Sequence, residues 1–117
     1  MHDLITHTIF SAQATVASAT STSTTLTLNS PTGYFSLQIT ETGDGTGQWK
    51  AVYSNDGTTF VTPTGVSDIV TAHTKTSGTS GTDIYQLGNG LYKYMRITVT
   101  ETGGASALSS TATLASQ

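Results

Sequence analysis

The sequence predicts an all-β fold, an antiparallel β-sandwich of about eight strands of the jelly-roll or immunoglobulin-like kind, and three observations carry that prediction. Thr and Ser dominate the composition. Thr is branched at Cβ, so it is crowded in a helix but packs well on a pleated surface. Apolar residues alternate with polar ones at period two in segment after segment, and nowhere at the helical period. Turn signals recur every ~10 residues, the rhythm of short strands folded back on one another. At 117 residues the chain has the length of one domain.

Residues 1–25 are the least regular stretch. Ile9, Phe10 and Val16 stand out from a run of Ala, Ser and Thr. This part is expected to be an N-terminal extended arm or an edge strand, with residues 26–117 forming the sandwich domain. An arm would pair with a neighbouring subunit through its backbone, because a strand edge presents unpaired N–H and C=O groups.

From Thr25 to Asn29 the chain alternates with Leu26 and Leu28 inward, and Ser30-Pro31-Thr32-Gly33 turns it. Phe35, Leu37 and Ile39 mark the next strand, which runs into a Gly-rich tip from Glu41 to Gly47. The return strand carries Trp49, Ala51 and Tyr53, with Trp49 as the core anchor. Ser54-Asn55-Asp56-Gly57 is the strongest turn signal, since Asn and Asp tolerate the left-handed region and Gly enters it at no steric cost. Thr58 to Thr62 is expected to continue as a strand carrying Phe60, and another short one starts at Ile69-Val70. Lys75 to Asp83 reads as a mobile polar loop, followed by a strand over Ile84–Leu87 and a Gly88-Asn89-Gly90 turn. Tyr94 to Thr100 alternates most cleanly, with Met95, Ile97 and Val99 on one face. The last strand turns Leu108, Ala112 and Leu114 inward.

One internal echo links two of these strands. Leu37-Gln-Ile-Thr-Glu-Thr-Gly is repeated as Ile97-Thr-Val-Thr-Glu-Thr-Gly. The two turns are expected at the same end of the sandwich. Glu41, Asp44 and Glu101 would then approach one another, which raises the question of a calcium ion with its preference for oxygen ligands. The plainer expectation is solvated turn residues. Asp56 and Asp68 are expected to cap turns.

Composition narrows the function. Only four Lys and Arg stand against seven Asp and Glu, for a net charge of −3, and the basic residues are scattered. Nucleic acid and anionic membrane surfaces are therefore not expected partners. There are no cysteines, so no disulfide and no thiolate metal site can form. The three histidines, His2, His7 and His73, lack metal-binding spacing and are expected on the surface. No Gly-x-Ser-x-Gly elbow is present, and the chain is not expected to be an enzyme or to need a cofactor.

Two resemblances extend this reading. Trp49-Lys-Ala-Val-Tyr53-Ser-Asn-Asp-Gly57-Thr-Thr-Phe60, with Tyr92-Lys-Tyr-Met-Arg96-Ile-Thr-Val99 beyond it, resembles the second half of discoidin-type jelly rolls over about half of the chain. It departs from them in lacking their N-terminal half and their cysteines. The same pattern in a short chain rich in Thr, Ser and Gly is similar to small structural proteins of tailed bacteriophages, including capsid decoration proteins. That second resemblance implies a virion structural role as a decoration or cement protein, assembled in the host cytoplasm. Its partners would be copies of itself and a major capsid or other virion protein. Ile9, Phe10, Val16, Tyr34, Tyr92 and Tyr94 are the candidate interface residues. Two alternatives stand beside it: a subunit of an extracellular filament using an N-terminal donor strand, and a carbohydrate-binding module. For the latter, Tyr34, Tyr85, Tyr92 and Tyr94 would stack on sugar.

Overall fold

A computed structural model describes residues 5–28, 34–87 and 92–116. The turns expected at 30–33 and 88–90, and His2, lie outside the described residues. Within them the chain forms nine strands: β1 (Ile5–Thr15), β2 (Thr20–Thr22), β3 (Leu26–Thr27), β4 (Phe35–Gly43), β5 (Gly47–Ser54), β6 (Val70–His73), β7 (Thr82–Leu87), β8 (Tyr94–Glu101) and β9 (Leu108–Ser116). One sheet runs β1-β9-β4-β7 and the other β2-β8-β5-β6, with β3 also on β8. All strand pairings are antiparallel.

β2 and β3 act as one interrupted strand. Thr20–Thr22 pair with Thr100–Thr98, and Leu26 and Thr27 then pair with Met95 and Tyr94. Between them the Ser23 N–H donates to the Ile97 carbonyl, and the Ser23 hydroxyl accepts from the Ile97 N–H. Each strand then holds the same place in its sheet as its chain neighbour holds in the other: β1 with β2, β9 with β8, β4 with β5, β7 with β6. That order is a jelly roll, and it decides between the two sandwich types that strand periodicity left open.

The core is built by phase. Phe35, Leu37 and Ile39 of β4 face Trp49 and Tyr53 of β5 and Met95, Ile97 and Val99 of β8. Leu108, Ala112 and Leu114 of β9 complete it. Trp49 is fully buried, and Phe10 meets it edge-on with ring centroids 5.9 Å apart.

Phe10 reaches that position because β1 is bulged. Its pairing with β9 shifts register between Thr8 and Phe10 and again between Phe10 and Gln13, so two consecutive side chains, Ile9 and Phe10, both turn inward. Ala12 takes φ 50 in the bulge, and its N–H donates to the Thr111 hydroxyl. β1 is an edge strand of this chain's own sheet, paired with β9 from Ile5 to Thr15.

Two local expectations give way. Thr58 to Thr62 is no strand; only Val61 bridges Tyr53. The Asp56 carboxylate takes the Thr58 and Thr59 N–H groups, and Pro63 has none to give, so no ladder can extend. The segment from Lys75 to Asp83 is tied down rather than loose. Gly81 donates to the Ser77 carbonyl and accepts from the Glu41 N–H, and at φ 84 it packs so closely on β4 that a Cβ there would collide with the Glu41 carbonyl.

Candidate functional site

β4 and β8 end in the same Thr-Glu-Thr-Gly string, and both chains then cross between sheets side by side. Gly45 donates to the Ala107 carbonyl and Thr102 to the Thr46 carbonyl, each at 2.9 Å, so the two turns share one end of the sandwich as the echo predicts. The glutamates, however, are not solvated turn residues. Glu41 is in phase with Leu37 and Ile39, Glu101 with Ile97 and Val99, and each is 1% exposed. Period-two alternation, carried two residues further than apolarity, was the signal that pointed inward.

Glu101 is enclosed by backbone. Its Oε2 accepts from the N–H of Thr46 at 3.0 Å and of Gly103 at 2.7 Å, and its Oε1 from Gly104 at 3.0 Å and Ser18 at 3.3 Å. These amides, Thr46 foremost, hold its pKa below the usual 4.5 against the opposing effect of burial. One carboxylate thereby fastens both inter-sheet turns and the β1–β2 connection.

Glu41 sits among side chains. The Trp49 indole N–H donates to its Oε1 at 2.5 Å. His73 Nδ1 stands 3.1 Å from the same oxygen without the alignment of a hydrogen bond, and His73 Nε2 lies 2.7 Å from Asp83 Oδ2. Glu41 Oε2 has no hydrogen-bond partner among the described residues. Burial pushes the Glu41 pKa above 4.5, with Trp49 and His73 pulling the other way. Asp83, His73, Glu41 and Trp49 come from β7, β6, β4 and β5, so this polar row alternates between the two sheets and joins them. Gly47 makes room for it, since a Cβ there would stand 2.5 Å from Glu41 Oε1. His73, expected on the surface, is fully buried, because its place opposite Gly47 puts it on the inner face. Glu41, His73 and Trp49 are closed to solvent, and the row reaches the surface only through Asp83, whose side chain is 26% exposed.

Asp44 takes no part in either arrangement. It is exposed and pairs with Lys75 at 2.7 Å, which lowers its pKa. The three carboxylates thus have separate partners, and among the described residues no group of three or more His, Asp and Glu could hold a metal ion.

The candidate interface residues separate. Ile9 and Phe10 lie in the core and are spent on this chain's own packing, so they are not free to anchor a neighbour. Val16 is 65% exposed just beyond β1. Tyr34 is exposed at the start of β4 and lines an open hollow of about 530 Å³ with Ile84, itself 67% exposed, and Ala115. Tyr94 faces outward on β8 with the Lys93 ammonium 5.5 Å from its ring centroid. Tyr92 is half-buried and stacks on Tyr53 at 4.4 Å.

The two outer faces differ in charge. Ser36, Gln38, Thr40, Thr82, Ile84, Gln86, Ser109, Thr111, Thr113, Ala115, Thr6 and Thr8 form the outer side of the β1-β9-β4-β7 sheet, and none of them is ionisable. The other sheet carries Lys50, paired with Asp68 at 3.9 Å, and Arg96, which lies over the Phe60 ring at 3.9 Å and donates to the Thr25 hydroxyl. No residue-type count announces this division; it needs the strand order.

No protein-family model matches the chain, and no curated protein matches it.

Proposed function

We propose that the chain is a virion structural subunit, a capsid decoration or cement protein that assembles, in the host cytoplasm, through contacts with copies of itself and with a major capsid or other virion protein. The observation that supports this reading best is the uncharged outer face of the β1-β9-β4-β7 sheet. Identical copies of a chain with net charge −3 repel one another, and a two-fold contact buries the same patch of both copies, with residues at the axis meeting their own equivalents. A face without ionisable groups is where they meet without burying like charges. Protein interfaces are depleted of charge at their centres for the same reason. Ile84 on that face and Tyr34 beside it supply exposed apolar surface. The long edge strand β1, with neither Lys nor Pro along it, offers backbone groups for pairing. Jelly rolls are common among capsid proteins and lectins, which supports the reading by analogy only.

The experiment is a mass measurement by light scattering across a concentration series, on the wild type and on the variant Thr113→Lys. The expected result is a defined oligomer for the wild type and a smaller species for the variant, with unchanged thermal unfolding. A wild type that stays monomeric throughout and does not bind virion particles overturns the proposal. Removal of residues 1–20 is the wrong test, since it takes Phe10 from the core at a cost of about 3–5 kcal/mol.

A further inference from the structure

At the edge opposite β1, residues 63–69, β5 and β7 enclose a cavity of about 220 Å³. A second of about 270 Å³ adjoins it, sharing Tyr53, Pro63 and Tyr92, and reaches the Ser54–Asp56 turn. The two hollows therefore form one groove, with the stacked pair of Tyr53 and Tyr92 at its middle. Tyr85 lines the first hollow and is fixed edge-on against His73, with ring centroids 6.3 Å apart. Structure has thus brought together two tyrosines that the sequence left apart, and has added a third.

The charged groups lining this groove are both carboxylates. Asp68 lines the first hollow, held by the Gln48 amide at 2.7 Å and by Lys50. Asp56 lines the second, and its three donors, the N–H groups of Thr58 and Thr59 and the Ser54 hydroxyl, all go to Oδ1, leaving Oδ2 for a ligand. The amides of Thr59 and Thr58 bring the Asp56 pKa down to about 2, so it is a carboxylate at any physiological pH. Among the described residues no Lys, Arg or His lines either hollow.

We propose that this groove binds a neutral oligosaccharide, one pyranose ring to each hollow. A pyranose has an apolar C–H face, which an aromatic ring covers, and a rim of hydroxyls, which donate to carboxylates. Each hollow is on the scale of one such ring. The same two carboxylates repel an acidic sugar, so uronic and sialic acids are excluded by charge. This activity does not rest on assembly: every lining residue described belongs to one subunit.

The test is an amide-resolved NMR titration of the full chain with glucose, galactose, mannose, N-acetylglucosamine, lactose and cellobiose, and with glucuronic acid as the acidic probe. At least one neutral sugar is expected to give saturable shifts centred on the amides of Asp68, Gln86 and Tyr92, and glucuronic acid none. Tyr92→Ala should weaken that binding roughly tenfold, the worth of one stacked ring. Because this variant also loses the Tyr53 stack, Asp68→Asn is measured beside it; it keeps the shape of the groove and should narrow the preference for neutral over acidic sugar. Absence of a saturable shift with every neutral sugar overturns the proposal. So do shifts centred away from the groove, equal binding of glucuronic acid, or unaltered selectivity in Asp68→Asn.

Discussion

Glu41 and Glu101 occupy the same place in two copies of one short string, and they are buried to the same degree. Their circumstances are nonetheless opposite. Glu101 receives four backbone N–H groups and is held ionised below its usual pKa. Glu41 receives one indole N–H, keeps an unpartnered oxygen beside a buried histidine, and is pushed up instead. The difference lies in what crosses each carboxylate. Beyond Glu101 the chain turns through Gly103 and Gly104, whose amides fold back on the side chain. Beyond Glu41 the Gly81 loop takes the backbone, and the side chain is left to the core. A carboxylate enclosed by amides favours the fold when ionised; one enclosed by side chains and buried favours it when protonated.

The sharpest way to break this comparison is to remove each side chain in turn. Glu101→Ala leaves the amides of Ser18, Thr46, Gly103 and Gly104 without their acceptor, and should give the larger loss of thermal stability, to the point of failing to fold at ambient temperature. Glu41→Ala should cost less in the same circular-dichroism melt. Equal losses would erase the distinction.

Next in size is Trp49→Phe, which removes the indole donor while keeping an aromatic ring against Phe10. Leaving that carboxylate oxygen with His73 alone should cost about 1–3 kcal/mol in urea unfolding.

The comparison also has a pH signature with opposite signs. A Glu41 pKa raised in the folded state means that the folded protein binds more protons than the unfolded chain. Its contribution is therefore favourable below 4.5 and declines as pH rises from 4.5 through the folded pKa. For Glu101 the folded pKa is lowered, so its contribution is present above 4.5 and is lost as pH falls through the folded value. Stability measured against pH should show, for wild type minus Glu41→Gln, a curve sloping downward above pH 4.5. Wild type minus Glu101→Gln should slope upward below it. The two curves running in parallel would contradict the assignment.

Smallest is Asp56→Asn, in an exposed turn. At neutral pH it should scarcely move the melting temperature, since an amide oxygen still accepts from Thr58 and Thr59. Its mark should be in acid: the wild type loses stability as pH falls from 3.8 to about 2, a decline that the variant does not show.

Much of the architecture was legible because it is local. Alternation located Trp49, Leu37, Ile97 and Leu114 in the core, and Asn55-Asp56-Gly57 marked its turn through the preferences of three residues. The jelly-roll order was not legible, since it consists of pairings such as Ile5 with Ser116 that no window of sequence contains. Phe10 escaped for a related reason: a bulge breaks period two at the residue that matters. Glu41 and Glu101 differ in how the chain turns after them and in what arrives from elsewhere, His73 in one case and the Ser18 amide in the other. Tyr85 and Tyr92 were recognisable as amphipathic rings, but only the folding of residues 63–69 toward β7 makes them walls of one groove.

The pairing of β1 with β9 also governs how the protein can be made. During synthesis β1 emerges well before its partner β9, and until β9 follows Ile9 and Phe10 have no Leu114 or Ala112 beside them. A topology closed by its most distant segments folds slowly, and its waiting strand is open to other chains in the interval. The bulge at Ala12 interrupts that strand and limits the length of straight edge on offer. Once β9 has paired, the feature that seats Phe10 in the core thus also shortens the straight edge left for other chains.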